Sequence, residues 1–367
     1  MKFEWKIKRL SEIADFNPCE SLPKGVIAKK VGMDKLQPFC RDISSYEMDA
    51  YSGGTKFRNG DTIMARITPC LENGKIAKVD ILEKGEIGFG STEYIVFRAK
   101  KGVDEDFLYY LVCSSIVREP AIRSMVGSSG RQRVQIDVVQ NLNVVVPTYE
   151  EQCLIGRALR NLDDKIKINN KINENLANQA QAIYQKYFIT EANPDWVLGY
   201  LSDLINVKYG KDHKKLADGI YPVYGSGGIM RYVEHPLYEK ESVLIPRKGT
   251  LNNVIYTNQP FWSVDTMFYT EMQQPNVAKF VYHFMKSKDL ASMNAGSAVP
   301  SMTTAILNAI ELRIPSAEVL KCFETSVTPM YEIIHENEIQ THKLAELRDT
   351  LLPKLMSGEL DVSSLDI

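Results

Sequence analysis

Residues 60–77, GDTIMARITPCLENGKIA, gather Arg66, Cys70, Glu72 and Lys75 around Gly60, Pro69 and Gly74. Such a stretch reads either as a reaction centre or as a polar surface that holds a ligand. Its counterpart in the second half is residues 241–256, ESVLIPRKGTLNNVIY, where an arginine, a glycine and asparagines remain but the cysteine and glutamate have no equivalent. A reaction centre copied without its reactive groups would lose its purpose. Polar, cationic loops that differ between copies suit two sequence readers, because arginine bonds guanine through two donors and asparagine does the same for adenine. Binding is therefore the expected role.

Other motifs argue in the same direction. An enzyme that methylates exocyclic amines would need an Asn/Asp-Pro-Pro-aromatic element, and the nearest matches are NPCE (17–20) and NPDW (193–196). No G-x-x-x-x-G-K-[ST] stretch is present, so a phosphate-cradling loop for ATP is not expected. GFG (88–90) and GSGG (225–228) lack the strand and helix spacing of a nucleotide fingerprint and read as strained turns. Pro194-Asp195 followed by Asp212-His213-Lys214 matches the acid, acid and lysine with which metal-dependent nucleases hold Mg²⁺. That chemistry needs the groups to converge from adjacent strands. Asp195 lies instead in a polar break and Asp212 in a lysine run without strand alternation; Lys211, Lys214 and Lys215 suit contact with phosphate or a solvated loop.

Bulk composition bounds these readings. The 367 residues are enough for roughly two to three domains. At 44% hydrophobic and 25% charged the usage is globular, and no segment approaches the ~20 apolar residues of a membrane span. The first residues carry no apolar export segment, so a cytoplasmic protein is expected. Six dispersed cysteines, without a C-x-x-C pair or a histidine at ligand spacing, suggest buried core thiols rather than zinc ligands or disulfides. The net charge of −2 conceals a gradient: +3 over 1–148, +1 over 149–190, 0 over 191–315 and −6 over 316–367. Near-neutrality predicts modest affinity for nucleic acid by the chain alone.

The chain is written twice. RLSEIAD (9–15) matches YLSDLIN (200–206), DTIMAR (61–66) matches SVLIPR (242–247), FLYYLV (107–112) matches FVYHFM (280–285), and LNVVVP (142–147) matches IELRIP (310–315). Their order is preserved, and Arg66 aligns with Arg247. The β-branched and aromatic runs TIMAR, EYIVFRA, LNVVVP, SVLIPR, TMFYT and IELRIP read as strands, with one helix expected over 105–122 and another over 276–293. After Pro147, Thr148 with Glu151 forms a capping box; Pro315-Ser316 occupies the same place in the second half. Apolar, small or amide residues then recur at steps of four and three: Leu162, Ile166, Asn169, Asn173, Leu176, Ala180, Ile183 and Tyr187. Adding 168 gives Met330, Ile334, Asn337, Thr341, Leu344, Arg348, Leu351 and Leu355. Each helix would approach forty residues, and a single stripe on so long a helix cannot be buried alone. The simplest partner is its own copy in a two-helix coiled coil, whose polar positions (Asn169 and Asn173, Asn337 and Thr341) weaken the seam but fix its register.

These residues resemble the specificity subunit of type I restriction-modification systems. GDTIMARITPCLENGKIA with GFGSTEYIVFRA (88–99) is similar to a first target-recognition domain, and YGSGGIM with IPRKGT to a second. PTYEEQCLIGRALRNLDDKIKINNKINENLANQAQAIYQKYF is similar to the central spacer helix and LAELRDTLLPKLMSGELDV to the C-terminal end. The resemblance implies an α/β (α+β) fold: two target-recognition domains separated by two long antiparallel coiled-coil helices, with an internal pseudo-twofold repeat. The expected boundaries are 1–147 for recognition domain 1, 148–190 for the central spacer helix, 191–315 for recognition domain 2, and 316–367 for the C-terminal helix and tail.

The resemblance also implies a non-catalytic subunit. Each domain would read half of a bipartite site in double-stranded DNA, the helices setting the spacing and docking two modification subunits. S-adenosylmethionine, ATP and Mg²⁺ would belong to those subunits and to the restriction subunits, with no cofactor or metal on this chain. Candidate DNA contacts are Arg66, Asn73, Lys75, Arg131 and Arg133 in the first half, and Lys211, Lys214, Lys215, Arg247, Lys248 and Asn252 in the second. The competing reading is a coiled-coil adaptor that binds protein without DNA sequence preference, and behind it a nuclease using Asp195, Asp212 and Lys214.

Overall fold

The computed structural model describes residues 5–128, 130–293 and 301–361; the ends of the first and last expected segments, 1–4 and 362–367, lie outside them. Two compact units form, 1–171 with 337–367, and 172–336.

The first half runs β1 (Lys6–Arg9), α1 (Leu10–Ile13), β2 (Ala14–Phe16), β3 (Ile27–Val31), β4 (Glu47–Ala50), β5 (Lys56–Phe57), β6 (Thr62–Ala65), β7 (Ile76–Lys78), β8 (Gly88–Gly90) and β9 (Tyr94–Ala99). Then come α2 (Glu105–Cys113), α3 (Ser115–Arg123), α4 (Ile136–Gln140), β10 (Asn143–Val146) and the long α5 (Tyr149–Gln185). The second half runs β11 (Val197–Tyr200), β12 (Ile205–Tyr209), β13 (Asp218–Gly225), β14 (Gly228–Val233), β15 (Ser242–Pro246), β16 (Ile255–Thr257), β17 (Trp262–Ser263) and β18 (Met267–Met272). It ends with α6 (Ala278–Lys286), α7 (Thr304–Asn308), β19 (Glu311–Ile314) and α8 (Ala317–Ser357).

Sheet orders repeat. The first unit contains β2-β9-β6-β7, β4-β3-β8-β5 and the ribbon β1-β10; the second contains β12-β18-β15-β16, β14-β13-β17 and the ribbon β11-β19. Small bonds repeat as well. Arg9 N–H donates to Glu12 Oε2 (2.6 Å), and Tyr200 N–H to Asp203 Oδ2 (2.8 Å). Leu10 N–H reaches Leu142 O and Leu201 N–H reaches Ile310 O, both at 2.8 Å. The six expected strands are β6, β9, β10, β15, β18 and β19.

Three sequence expectations are corrected. The helix expected over 105–122 is two, because Ser114 takes an extended ψ of 160° between α2 and α3 while its hydroxyl bonds Leu111 O. GFG is not a turn but strand β8, where a Cβ on Gly90 would fall 2.4 Å from Val31 O. Glycine is required there by close approach across the sheet, not by backbone strain. The thiols are not all buried: Cys19 and Cys322 are exposed.

In the first unit, Thr148 and Glu151 close the capping box at the start of α5, with Thr148 N–H donating to Glu151 Oε2 at 2.8 Å. Leu162 and Ile166 on α5 and Thr341, Leu344 and Leu351 on α8 are half-buried, as is Asn337. Asn169 has no exposed surface; its amide donates to Gln340 Oε1 (2.8 Å) and Thr341 Oγ1 (3.4 Å), while its carbonyl oxygen lacks a partner. Asp163 opposite Arg348 (2.7 Å), and Asn169 opposite Thr341, show that the helices run antiparallel here. In the second unit Asn173, Leu176, Ile183, Met330 and Ile334 are likewise half-buried, and the Asn173 amide donates to Ile334 O at 3.3 Å. Off-seam isoleucines Ile168, Ile172, Ile333 and Ile339 are exposed. Spacing, rather than hydrophobicity alone, decides which face turns inward.

The second unit buries a histidine whose titration is strongly displaced. His283 on α6 is 2% exposed, its Nε2 facing Tyr331 Oη and its Nδ1 facing Gln181 Oε1, each at 2.8 Å, with the Tyr184 ring stacked at 5.3 Å. The neutral tautomer that satisfies this network carries its proton on Nδ1, an assignment made from the partners. Burial, assisted by the Lys286 cation, pulls its pKa from 6.5 down to about 4. The penalty for protonation is absent above 6.5, grows as pH falls and is complete below about 4. This unit should lose about 3 kcal/mol across that window. Denaturant unfolding followed by tryptophan fluorescence at pH 7 and 4.5 checks it: the loss should shrink in His283→Gln, and parallel losses in both proteins would refute the assignment.

Candidate nucleic-acid interface

Strand ends position the two aligned arginines. Arg66 follows β6, where its N–H donates to Glu93 O (2.9 Å) and its carbonyl accepts from Val134 N–H (2.9 Å). Arg247 follows β15, with N–H to Thr266 O (2.8 Å) and its carbonyl accepting from Met302 N–H (2.9 Å). The two backbones occupy the same node of the same sheet order. Their side chains differ. Arg66 is half-buried, with Nη2 3.4 Å from Val134 O and a buried Nε without a partner. Arg247 lies over the Tyr209 ring at 5.5 Å, and its Nη1 donates to Asp265 O at 3.1 Å. An arginine held on an aromatic face loses less freedom on binding a planar acceptor pair than one swinging in water.

Several other candidates are already engaged. Lys75 donates to Met33 O at 2.8 Å. Arg133 forms a two-pronged pair with Glu93, Nη2 to Oε1 at 2.7 Å and Nε to Oε2 at 3.0 Å, which holds the Glu93 carboxyl below the ordinary range. Asn252 Nδ2 donates to Asp289 Oδ1 (3.1 Å) and its Oδ1 accepts from Ala291 N–H (3.0 Å), so its amide edge is spent within the loop. Asn73 and Arg131 are exposed in the first unit. Lys211, Lys214, Lys215 and Lys248 are exposed in the second.

Lys211 to Lys215 form an irregular loop pinned at its start, where Lys211 N–H donates to Ser263 O (2.8 Å) and Lys211 O accepts from Trp262 Nε1 (2.9 Å). Asp212 Oδ1 accepts from Lys214 N–H at 3.1 Å and thereby shapes the turn. Asp195 lies in a separate exposed turn, its N–H bonded to Asn193 Oδ1. Neither aspartate lies on a strand, so the arrangement a two-carboxylate nuclease requires is not built.

Sequence reasoning missed Tyr209 and the hairpin of β13 and β14. Tyr209 ends β12 and is 53% exposed; Ile220 and Met230 on the hairpin are 78% and 60% exposed. GSGG is the hairpin's turn, with Gly228 at φ +115° and Ser226 O accepting from Asn253 Nδ2 at 2.8 Å. The turn residues were visible in the sequence, but the strands beside them were hidden by a Pro and by uneven alternation.

Comparison with known proteins agrees with this architecture. Residues 2–178 and 193–343 match the family described as "Type I restriction modification DNA specificity domain". Over 99% of this chain and 95% of the relative, 22% of residues are identical to the type I restriction enzyme MjaIX specificity subunit of Methanocaldococcus jannaschii. Identity is also 22% with the HindI specificity subunit of Haemophilus influenzae, over 83% of this chain and 87% of that one. Among solved structures, the type I restriction-modification S subunit from M. genitalium superposes with a TM-score of 0.62 at 18% identity, covering 97% of this chain and 96% of that one. With both halves matched, the chain belongs to the type I restriction-modification DNA specificity family.

Proposed function

We propose that the chain is the subunit that gives a type I restriction-modification complex its DNA sequence, each β-rich domain reading one half of a bipartite double-stranded site. The carrying observation is the paired node: Arg66 and Arg247 leave equivalent strand ends with the same backbone bonds, yet their side chains meet different surroundings. A common frame with divergent contact residues is what two unlike half-sites demand. It favours a reader over a coiled-coil adaptor, which needs no such divergence.

In this reading the domains correspond to the boundaries expected from the sequence, and α5 and α8 form the antiparallel spacer of a pseudo-twofold repeat. Their length sets the interval between half-sites, and two modification subunits dock on them, joined by restriction subunits. The chain itself supplies no catalytic group; S-adenosylmethionine, ATP and Mg²⁺ act on the partners, which would also extract the target base from the helix. Arg247 and Arg66 are assigned to base edges. Lys211, Lys214, Lys215 and Lys248 are assigned to phosphates, with Asn73 and Arg131 completing the first surface. Lys75, Arg133 and Asn252 support the loops that carry them, as their present bonds indicate.

Two outcomes test this division. Arg247→Ala, in the complex with modification subunits, should relax one half-site by about 10- to 100-fold while leaving the other unchanged. Methylated-base sequencing reads the change directly; a uniform loss across all sequences would make Arg247 a phosphate contact, and indifference to sequence in the parent would favour the adaptor. Asn252→Ala should instead lower stability by about 1 kcal/mol without changing the bases read. A shifted target in that variant would return Asn252 to the reading surface.

A further inference from the structure

We propose that a polarity-inverted ion pair determines which long helix accepts which β-rich domain, so that the two domains cannot exchange places although they share a fold. The observation is independent of what the domains bind. Helices α2 and α6 are equivalent through the FLYYLV and FVYHFM matches, which places Asp106 and Lys279 at the same position. Helices α5 and α8 are equivalent through the 168-residue shift, which places Gly156 opposite Glu324 and Arg160 opposite Thr328 in alignment. The apolar neighbours obey the same shift: Ile155 and Leu159 are buried in the first unit, Phe323 and Val327 in the second.

In the first unit Asp106 is the acid of the contact. It pairs with Arg160 of α5 at 2.9 Å and with Lys78 from its own domain. Gly156 lies directly beneath: a Cβ there would meet Asp104 Oδ1 at 2.6 Å, and Asp106 Cβ and Phe107 N at 2.9 Å. The backbone of α2 thus presses against a helix face that has no side chain.

In the second unit the signs are reversed. Lys279, 4% exposed, pairs with Glu324 of α8 at 2.5 Å and with Glu241 from its own domain at 3.1 Å, with Tyr256 and Tyr331 rings at 5.1 and 5.8 Å. Glu324 therefore stands where α5 has Gly156, and Thr328 Oγ1, at the place of Arg160, donates to Glu324 Oε1 at 3.3 Å.

Exchange would fail at both positions. Asp106 seated on α8 would keep Lys78 but face the Glu324 carboxylate in the space its own backbone needs, while Lys279 seated on α5 would keep Glu241 but lose Glu324, find an empty glycine face and meet the Arg160 cation. Bringing like charges together in a buried contact is disfavoured, and a like charge set against the wrong partner is an established means of discrimination. The neighbouring polar pair does not discriminate, since Tyr110 with Asp163 and His283 with Tyr331 could trade partners and still hydrogen-bond.

Two experiments on the full chain decide the matter. Lys279→Asp and Glu324→Arg should each lower the thermal midpoint by about 10 °C, and the double variant should recover at least half of that loss. Absence of recovery overturns the inference. Secondly, residues 6–147 and 197–315 are transposed around the native helices, alone or with Gly156→Glu, Arg160→Thr, Glu324→Gly and Thr328→Arg. The chain whose four helix residues moved with the domains should elute as soluble protein and melt cooperatively, and the chain with native helix residues should aggregate. Equal behaviour of the two transposed chains, folded or aggregated, overturns the proposal, because the four residues would then not govern acceptance.

Discussion

A long helix with a single inward stripe is unstable in water until something covers that stripe, and this requirement organises the protein. Helices of 37 and 41 residues would each leave apolar surface exposed along one side. In each unit the stripe of one is met by the other, running the opposite way, and by the helix of the local β-rich domain. Ile155 and Leu159 join the core that contains α2, Leu355 and Met356; Ala180, Tyr184, Phe323 and Val327 join the core that contains α6. The sheets then have a fixed wall to pack against. Asn169, buried with one amide oxygen unmatched, is the cost of keeping that wall in one register.

Duplication explains why the frame is shared and the surface is not. Backbone bonds at Leu10 and Leu201, and at Arg66 and Arg247, are the same because they close the same sheet orders. Side chains around those nodes were free to diverge: Tyr209 supports Arg247, whereas Arg66 turns towards Val134. The sheet edge β4-β3-β8-β5 also has a shorter counterpart, β14-β13-β17. Divergence is therefore concentrated where recognition is proposed and at the seats where each domain meets its helix.

The repeat, the long helices and six strands could be read from residue order because each depends on local periodicity or on matched segments. What escaped depends on partners far away in sequence. β3 carries Lys29 and Lys30 in a strand that looks polar; folding pairs its backbone with β4 and β8 and brings Glu86 and Asp49 to the two lysines. Asn252 looked like a reader until Asp289 and Ala291 occupied its amide. Arg133 looked like a free cation until Glu93 took both of its prongs. A charged residue type at a loop position signals polarity, but which groups are already bonded is settled only by the three-dimensional neighbours.

The compact unit that holds the N-terminal domain is assembled from two distant stretches, 1–171 and 337–367, whereas the other is the single stretch 172–336. During translation every residue of the continuous unit has been added to the chain before Leu351, Leu355 and Met356 are made. The earlier domain, although synthesised first, must wait with part of its core uncovered until those residues arrive. The usual order of maturation, in which the segment made first closes first, is thus inverted, and the N-terminal domain carries the longer period of vulnerability to chaperones and proteases.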